Sequence, residues 1–149
     1  MRAVVQRVSR ASVSVDGETI ARIGPGLLVL LGVHRDDDQN RADWMAGKLA
    51  RLRILDDEAG VMNRSLLETG EDALVISQFT LLANNRKGNR PSFNDAARPE
   101  LAVPLYERCV QTLGELLGKP VPTGVFGAMM EVDLCNDGPV TIVIDSVKG

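Results

Sequence analysis

Two short segments of this chain combine polar side chains with constrained backbone in a way that ordinary core strands do not. Ser77-Gln78-Phe79-Thr80-Leu81 follows the apolar run Ala73-Leu74-Val75-Ile76, so two hydroxyls and a carboxamide arrive together at the end of a β-run. Asn136-Asp137-Gly138-Pro139-Val140-Thr141 breaks into an alternating C-terminal β-pattern. Proline has no N–H for a strand ladder, and X-Pro is the bond that turns cis at a cost of only about 0.5–1 kcal/mol. A Gly-Pro peptide where a sheet would otherwise continue points to a site rather than a turn. In the first segment Thr80 is the obvious nucleophile, because its hydroxyl beside Ser77 and Gln78 could attack an acyl ester. At neutral pH a hydroxyl needs a base to activate it, and no histidine or lysine accompanies the segment in sequence. Two other readings remain. Thr80 is a strand residue that orders the local backbone, or the backbone N–H groups of Phe79 and Thr80 serve as oxyanion donors while water attacks.

Elsewhere the usual chemical agents are scarce. The single histidine, His34, ends an apolar strand with no cysteine beside it, which fits a hydrogen-bonded strand end better than a metal ligand. Asp36-Asp37-Asp38 could bind a cation, but a helix cap explains the cluster more simply. Neither a metal nor another cofactor is expected. Cys109 and Cys135 form no CxxC pair, so neither a metal knuckle nor a disulfide framework is indicated, and a reduced, cytoplasmic setting is the simplest expectation. No apolar leader is visible at the N-terminus, and the longest apolar run, Leu27 to Leu31, falls far short of the ~20 residues a membrane span requires.

The net charge is −3 and the pI about 5.2, which argues against a surface that is basic all over. Positive charge collects over residues 84–98, where Arg86, Lys87, Arg90 and Arg98 face only Asp95. Such side chains are often merely solvated; their functional reading is contact with nucleic-acid phosphates through a small patch. Aromatic residues make up 3% of the chain, too few for a stacking platform of rings.

The elements that must position these segments can be read in order. Ala11, Val13 and Val15 alternate with polar residues, Asp16-Gly17 supplies a two-residue turn, and Glu18–Ile23 returns as the second strand of a hairpin. Residues 26–33 are apolar without alternation, which predicts a strand buried on both faces. The aspartates at 36–38 precede a helix with Ala42, Met45, Ala46, Leu49 and Leu52 on one face, ending near Arg53. A second short hairpin flanks the turn at 56–60, and residues 72–78 form the strand leading to Thr80. Residues 82–98 make a polar loop of a length that is uncommon in compact domains unless it is functional. A second helix carries Leu105, Cys109, Leu113 and Leu116, with Gly118 past its end, and either Pro99 or Pro104 in its first turn. Strands resume with Met130, Val132 and Leu134, then Val140, Ile142 and Ile144. At 149 residues, one domain spanning 1–149 is expected, of α+β class: a curved, mainly antiparallel sheet or barrel-like pair of sheets with two flanking helices.

The two segments, with Met1-Arg2-Ala3-Val4-Val5-Gln6-Arg7-Val8, Arg90-Pro91-Ser92-Phe93 and Gly127-Ala128-Met129-Met130, resemble the D-aminoacyl-tRNA deacylases along the whole chain. The resemblance implies a homodimer that hydrolyses the ester of D-aminoacyl-tRNA, and of glycyl-tRNA mischarged on non-cognate tRNA, while sparing L-aminoacyl-tRNA. It implies catalysis at Ser77, Gln78, Phe79 and Thr80, and a substrate pocket that includes Met129 and Asn136. It also implies that Gly138-Pro139 is cis and enters the partner's pocket, where its carbonyls hold the substrate's α-amino end and exclude an L side chain. Arg86, Lys87 and Arg90 would contact tRNA phosphates. Phe79 and Phe93 could each cover the terminal adenosine, although core packing is the role expected of Phe79. Two alternatives stand beside this reading: editing of a misacylated L-aminoacyl-tRNA, which the intact Gly-Pro dipeptide disfavours, and a non-enzymatic nucleic-acid-binding protein, which the acidic balance disfavours.

Overall fold

A computed structural model describes residues 1–146 of the chain. In chain order the elements are β1 (Arg2–Val15), β2 (Glu18–Ile23), β3 (Gly26–Gly32), α1 (Gln39–Arg51), β4 (Leu55–Asp56), β5 (Met62–Arg64), α2 (Leu66–Thr69), β6 (Asp72–Ser77), a 3-10 turn (Phe79–Leu82), α3 (Pro99–Leu117) and β7 (Glu131–Asp145). The spine is β1. Its C-terminal half pairs antiparallel with β2, from Ala11↔Ile23 to Val15↔Glu18, and its N-terminal half with β3, from Arg2↔Gly32 to Val8↔Gly26. Along its other edge runs β7, from Arg2↔Asp145 to Ser14↔Glu131. Only β3 and β6 pair in parallel, Gly26↔Asp72 to Leu31↔Ser77, so the five-stranded sheet is mainly antiparallel, as expected.

Apolar periodicity determines what packs where. On β3 every residue but Leu30 is buried, because Leu27, Val29 and Leu31 face one core and Leu28 the other. Met1, Ala3 and Val5 join the first core against α1 and α3, whereas Val8, Ala11 and Val13 join the second with Leu74 and Ile76. This change of face along β1 coincides with the slips in its register against β7, and it curls the sheet. Each fully buried Leu, Val or Met contributes about 1.5–3 kcal/mol of transfer free energy.

Both expected flanking helices are present. Asp38 caps α1 by accepting from the Arg41 N–H, and Ala42, Met45, Ala46 and Leu49 are buried, but Leu52 is already the C-cap, so the helix ends at Arg51 rather than near Arg53. Pro99 occupies the first turn of α3, where its missing N–H costs nothing, and Pro104 lies inside the helix. Arg108 and Asp43 tie the helices together through two 2.9 Å bonds. The four-residue α2, capped by Ser65 and closed by Gly70, was not expected, since one turn is too short to show periodicity. The 36–38 cluster divides its work. While Asp38 caps, buried Asp37 accepts from the Met1 ammonium at 2.7 Å and from the His34 N–H at 2.7 Å. His34 itself accepts the Asp36 N–H on Nδ1 at 3.0 Å.

Candidate active site

At the end of β6 the chain does not continue as a strand. The Gln78 N–H makes one last bond to Leu31 O at 2.8 Å, and the backbone then winds into the 3-10 turn, with Leu81 N–H on Gln78 O and Ala83 N–H on Thr80 O. The reading of Thr80 as a strand residue is therefore corrected: it is the second residue of a helical turn. The first N–H groups of any helix lack intrahelical acceptors, and those of Phe79 and Thr80 take no partner in the loop and turn bonds of the described residues. The Thr80 hydroxyl accepts from the Gln78 carboxamide, and no imidazole, amine or carboxylate bonds it among the described residues. Gly32 makes the arrangement possible, since a Cβ there would lie 2.9 Å from Gln78 O. Arg2 adds a tether, donating to Leu81 O at 2.7 Å while pairing with Asp145.

A cavity of about 670 Å³ opens beside this turn. Ser77, Gln78 and Phe79 line it together with Met129 and Met130 and, from α3, Ala102 and Tyr106. Its size suits a small organic moiety. Phe79, 57% exposed, meets Phe93 edge to face at 5.1 Å at the rim, where Met129 is 90% exposed. Tyr106 donates to Val75 O at 3.1 Å, and burial pushes its hydroxyl up to about 12. It holds its proton and is no base. The only other titratable side chain on the wall among the described residues is that of Arg98. The cavity therefore has apolar walls and no base, and Phe79, which lines it, begins the turn whose first two amides take no partner in the loop and turn bonds of the described residues.

The second motif stands apart from this cavity. Between Gln6↔Thr141 and Val8↔Asn136 the β7 backbone carries four residues, 137–140, opposite the one residue Arg7, so the Gly-Pro segment bulges from the edge strand. Gly138-Pro139 is cis and exposed. Asn136 closes the bulge at its base, accepting the Val140 N–H at 2.8 Å and donating to Val140 O at 3.1 Å. From the opposite strand Arg7 donates to Asp137 O at 2.8 Å, and to Ile54 O and the Asp56 carboxylate. Its nearly buried guanidinium thus fixes the carbonyl that precedes Gly138. Neither Gly138, Pro139 nor Asn136 lines the cavity.

The basic loop is anchored rather than loose. Asn84 and Ser92 exchange backbone bonds of 2.8 Å, Arg35 N–H binds Asp95 O and Ala97 N–H binds Val33 O. The tip that remains carries exposed Arg86, Lys87 and Arg90, and the returning limb brings Phe93 and Arg98 to the cavity. Ser77, Gln78, Phe79 and Met129 are thus brought together. Thr80 contributes its backbone beside them, Arg86, Lys87 and Arg90 stand outside, and Asn136 serves the bulge. Sequence reasoning missed Arg7 and Tyr106, whose partners Asp137 and Val75 lie 130 and 31 residues away. No spacing rule could have found them.

Residues 4–145 match the family model described as D-Tyr-tRNA(Tyr) deacylase. The chain is 62% identical over 146 residues to the D-aminoacyl-tRNA deacylase of Opitutus terrae, covering 98% of this chain and 97% of that protein. It is 58% identical over 148 residues to the protein of that name from Thermomicrobium roseum, covering 99% and 96%. Among solved structures, one named "c-Myc DNA Unwinding Element Binding Protein" superposes with a TM-score of 0.93 at 42% identity, covering 98% of this chain and 99% of that one. Another, described as a probable eukaryotic D-amino acid tRNA deacylase, shares the fold with a TM-score of 0.83 at 19% identity, covering 96% and 97%.

Proposed function

The chain belongs to the D-Tyr-tRNA(Tyr) deacylase family, and on that premise we propose that it hydrolyses the ester of D-aminoacyl-tRNA, releasing free D-amino acid and tRNA. The observation that carries the mechanism is the pair of unpartnered Phe79 and Thr80 amides beside a cavity without a base. An aminoacyl ester of ribose is already reactive, with a vicinal hydroxyl and an α-ammonium group to assist. The two amides bind the carbonyl oxygen as it becomes an oxyanion. Water adds to the carbonyl carbon, the bond to the ribose oxygen breaks, and the proton lost by water passes to that departing oxygen. Gln78 holds the Thr80 side chain in place without activating it. Phe79 and Phe93 cover the terminal adenosine, and Arg86, Lys87 and Arg90 contact the tRNA phosphates.

Discrimination falls to the bulge. Since Gly138-Pro139 lies outside its own protomer's cavity and projects from an edge strand, it completes the cavity of a second copy in a homodimer. There its carbonyls meet the substrate's α-amino group and its backbone occupies the space an L side chain would need. Met129, exposed at the rim, borders the same pocket. Glycine has no side chain to exclude, so glycyl-tRNA on a non-cognate tRNA is also a substrate. Such work belongs in the cytoplasm, where charged tRNA is used.

The test is release of D-tyrosine from D-Tyr-tRNA by the purified protein, with L-Tyr-tRNA and L-Ser-tRNA in parallel. Release from the D substrate alone supports the proposal, whereas release from L-Ser-tRNA alone points to editing of a misacylated L-amino acid. The similarity to a protein named for binding a DNA unwinding element favours a second reading, a non-enzymatic nucleic-acid-binding protein. Binding of duplex DNA with no deacylation of any substrate would establish it instead.

A further inference from the structure

Positive charge without a carboxylate partner also collects at a second place. Trp44, Gly47, Lys48, Arg51 and Arg53 wall a groove of about 550 Å³ with Asp43, and it shares no residue with the cavity of the site. Residues 44, 48 and 51 follow one another on one face of α1. Trp44 is 42% exposed, and the Lys48 ammonium lies 5.9 Å from the centre of its ring. Outside the 84–98 loop many basic side chains of this acidic chain meet carboxylates, as Arg2, Arg7, Arg10, Arg35 and Arg41 do. Lys48, Arg51 and Arg53 form no ion pair among the described residues. Arg51 donates to Gly47 O at 3.3 Å, and Arg53 to the backbone carbonyl of Asn63 at 2.9 Å. The one acid in the groove is already engaged, since Arg108 holds both oxygens of Asp43. Arg53 also donates to the Asn63 side chain, so the fold holds these three cations by neutral groups and leaves their charge uncompensated beside an exposed indole.

We propose that this groove binds backbone phosphates of the tRNA body, away from the aminoacyl end; the inference rests on the tRNA-hydrolase reading above. Lysine and arginine neutralise phosphates, and an indole next to them gives a base or ribose a surface to lie on. The placement suits a long, uniformly charged ligand. The segment leading into α1 is fixed to the basic 82–98 loop by the Arg35 N–H bond to Asp95 O. The 13-residue helix then runs about 20 Å to the groove's far end. A substrate whose 3′ end enters the cavity has phosphates to spare at that distance, whereas a free aminoacyl-adenosine has none.

The chain's single tryptophan is Trp44 itself, so the unmodified protein reports on its own groove. Full-length tRNA should change Trp44 emission saturably, and D-tyrosyl-adenosine should not. In Lys48→Gln/Arg51→Gln the slope of log K against log salt for tRNA binding should fall by about 1.4–1.8, two contacts at 0.7–0.9 each. Hydrolysis of D-tyrosyl-adenosine should be unchanged. An unchanged Trp44 spectrum at saturating tRNA, an unchanged salt slope, or equal losses on tRNA and fragment would each overturn the assignment. If the unmodified protein hydrolyses neither substrate, the deacylase reading fails and the groove assignment falls with it. If it hydrolyses both while the double variant binds tRNA like the unmodified protein, the groove assignment alone fails.

Discussion

Removing the Thr80 hydroxyl and removing the Thr80 N–H should have very different consequences. Thr80 is exposed, and among the described residues its hydroxyl bonds only the Gln78 carboxamide. One such bond is worth at most about 0.5–1.5 kcal/mol of stability, so Thr80→Ala should fold and keep substantial turnover. The N–H is a different matter, because loss of a single oxyanion donor costs about 2.7–4 kcal/mol, or 10²- to 10³-fold in kcat. Thr80→Pro deletes that donor at a position in the first helical turn where proline's φ is acceptable, and Thr80 O remains free to accept the Ala83 N–H. Proline also biases the preceding Phe79 away from helical dihedrals. A backbone ester at position 80, made by semisynthesis, removes the N–H without that complication and should give the same loss. The assay is single-turnover release of D-tyrosine from D-Tyr-tRNA, with circular dichroism to confirm the fold. An acyl ester trapped on Thr80, or complete inactivity of a folded Thr80→Ala protein, would refute the backbone mechanism.

Neutralising Arg86, Lys87 and Arg90 should weaken tRNA binding and flatten its salt dependence by about 2–3 in the log–log slope, while D-tyrosyl-adenosine hydrolysis stays nearly constant. Gly32→Ala should destabilise the fold by about 1–3 kcal/mol in urea unfolding and lower kcat, because its Cβ, 2.9 Å from Gln78 O, pushes on the turn that carries the amides. Asp37→Asn leaves the buried Met1 ammonium without its carboxylate and should cost about 3–5 kcal/mol. That loss should shrink as pH rises toward 8.0. Burial holds the Met1 amine below its ordinary value of 8.0, so the unfolded chain binds the proton more tightly, and stability climbs with pH through the window just beneath that value. Urea midpoints at pH 6 and pH 8 check the sign.

Local pattern made most of the scaffold legible. The Asp16-Gly17 turn, the doubly buried β3, the Asp38 cap and the apolar face of α1 each follow from a few adjacent residues, and the structure has all of them. What local pattern did not show was the 3-10 turn that follows β6. Ser77-Gln78-Phe79-Thr80 has strand-like composition, yet the chain turns there because Gly32, far off in sequence, lets Gln78 O approach β3. The bulge was visible as Gly-Pro in a β-run, but its support was not. Arg7 reaches Asp137 across 130 residues, and Asn136, expected in the pocket, clamps Val140 at the base of the bulge. The neutralisation of Asp43 by Arg108, which leaves the α1 groove positive, is equally a product of packing.

In the proposed mechanism the Gly138 bulge decides which enantiomer is hydrolysed. Gly138 has φ of 150°, and a Cβ there would lie 2.7 Å from the Val140 N that Asn136 holds. Gly138→Ala must therefore deform the bulge, at a backbone cost of about 1–3 kcal/mol, while leaving the Phe79 and Thr80 amides untouched. The measurement is kcat/KM for D-Tyr-tRNA and L-Tyr-tRNA, for the unmodified protein and for folded Gly138→Ala. The account predicts strong preference for the D substrate in the first and a sharply reduced D/L ratio in the second. Equal turnover of both enantiomers by the unmodified protein, or an unaltered ratio in the variant, would contradict it.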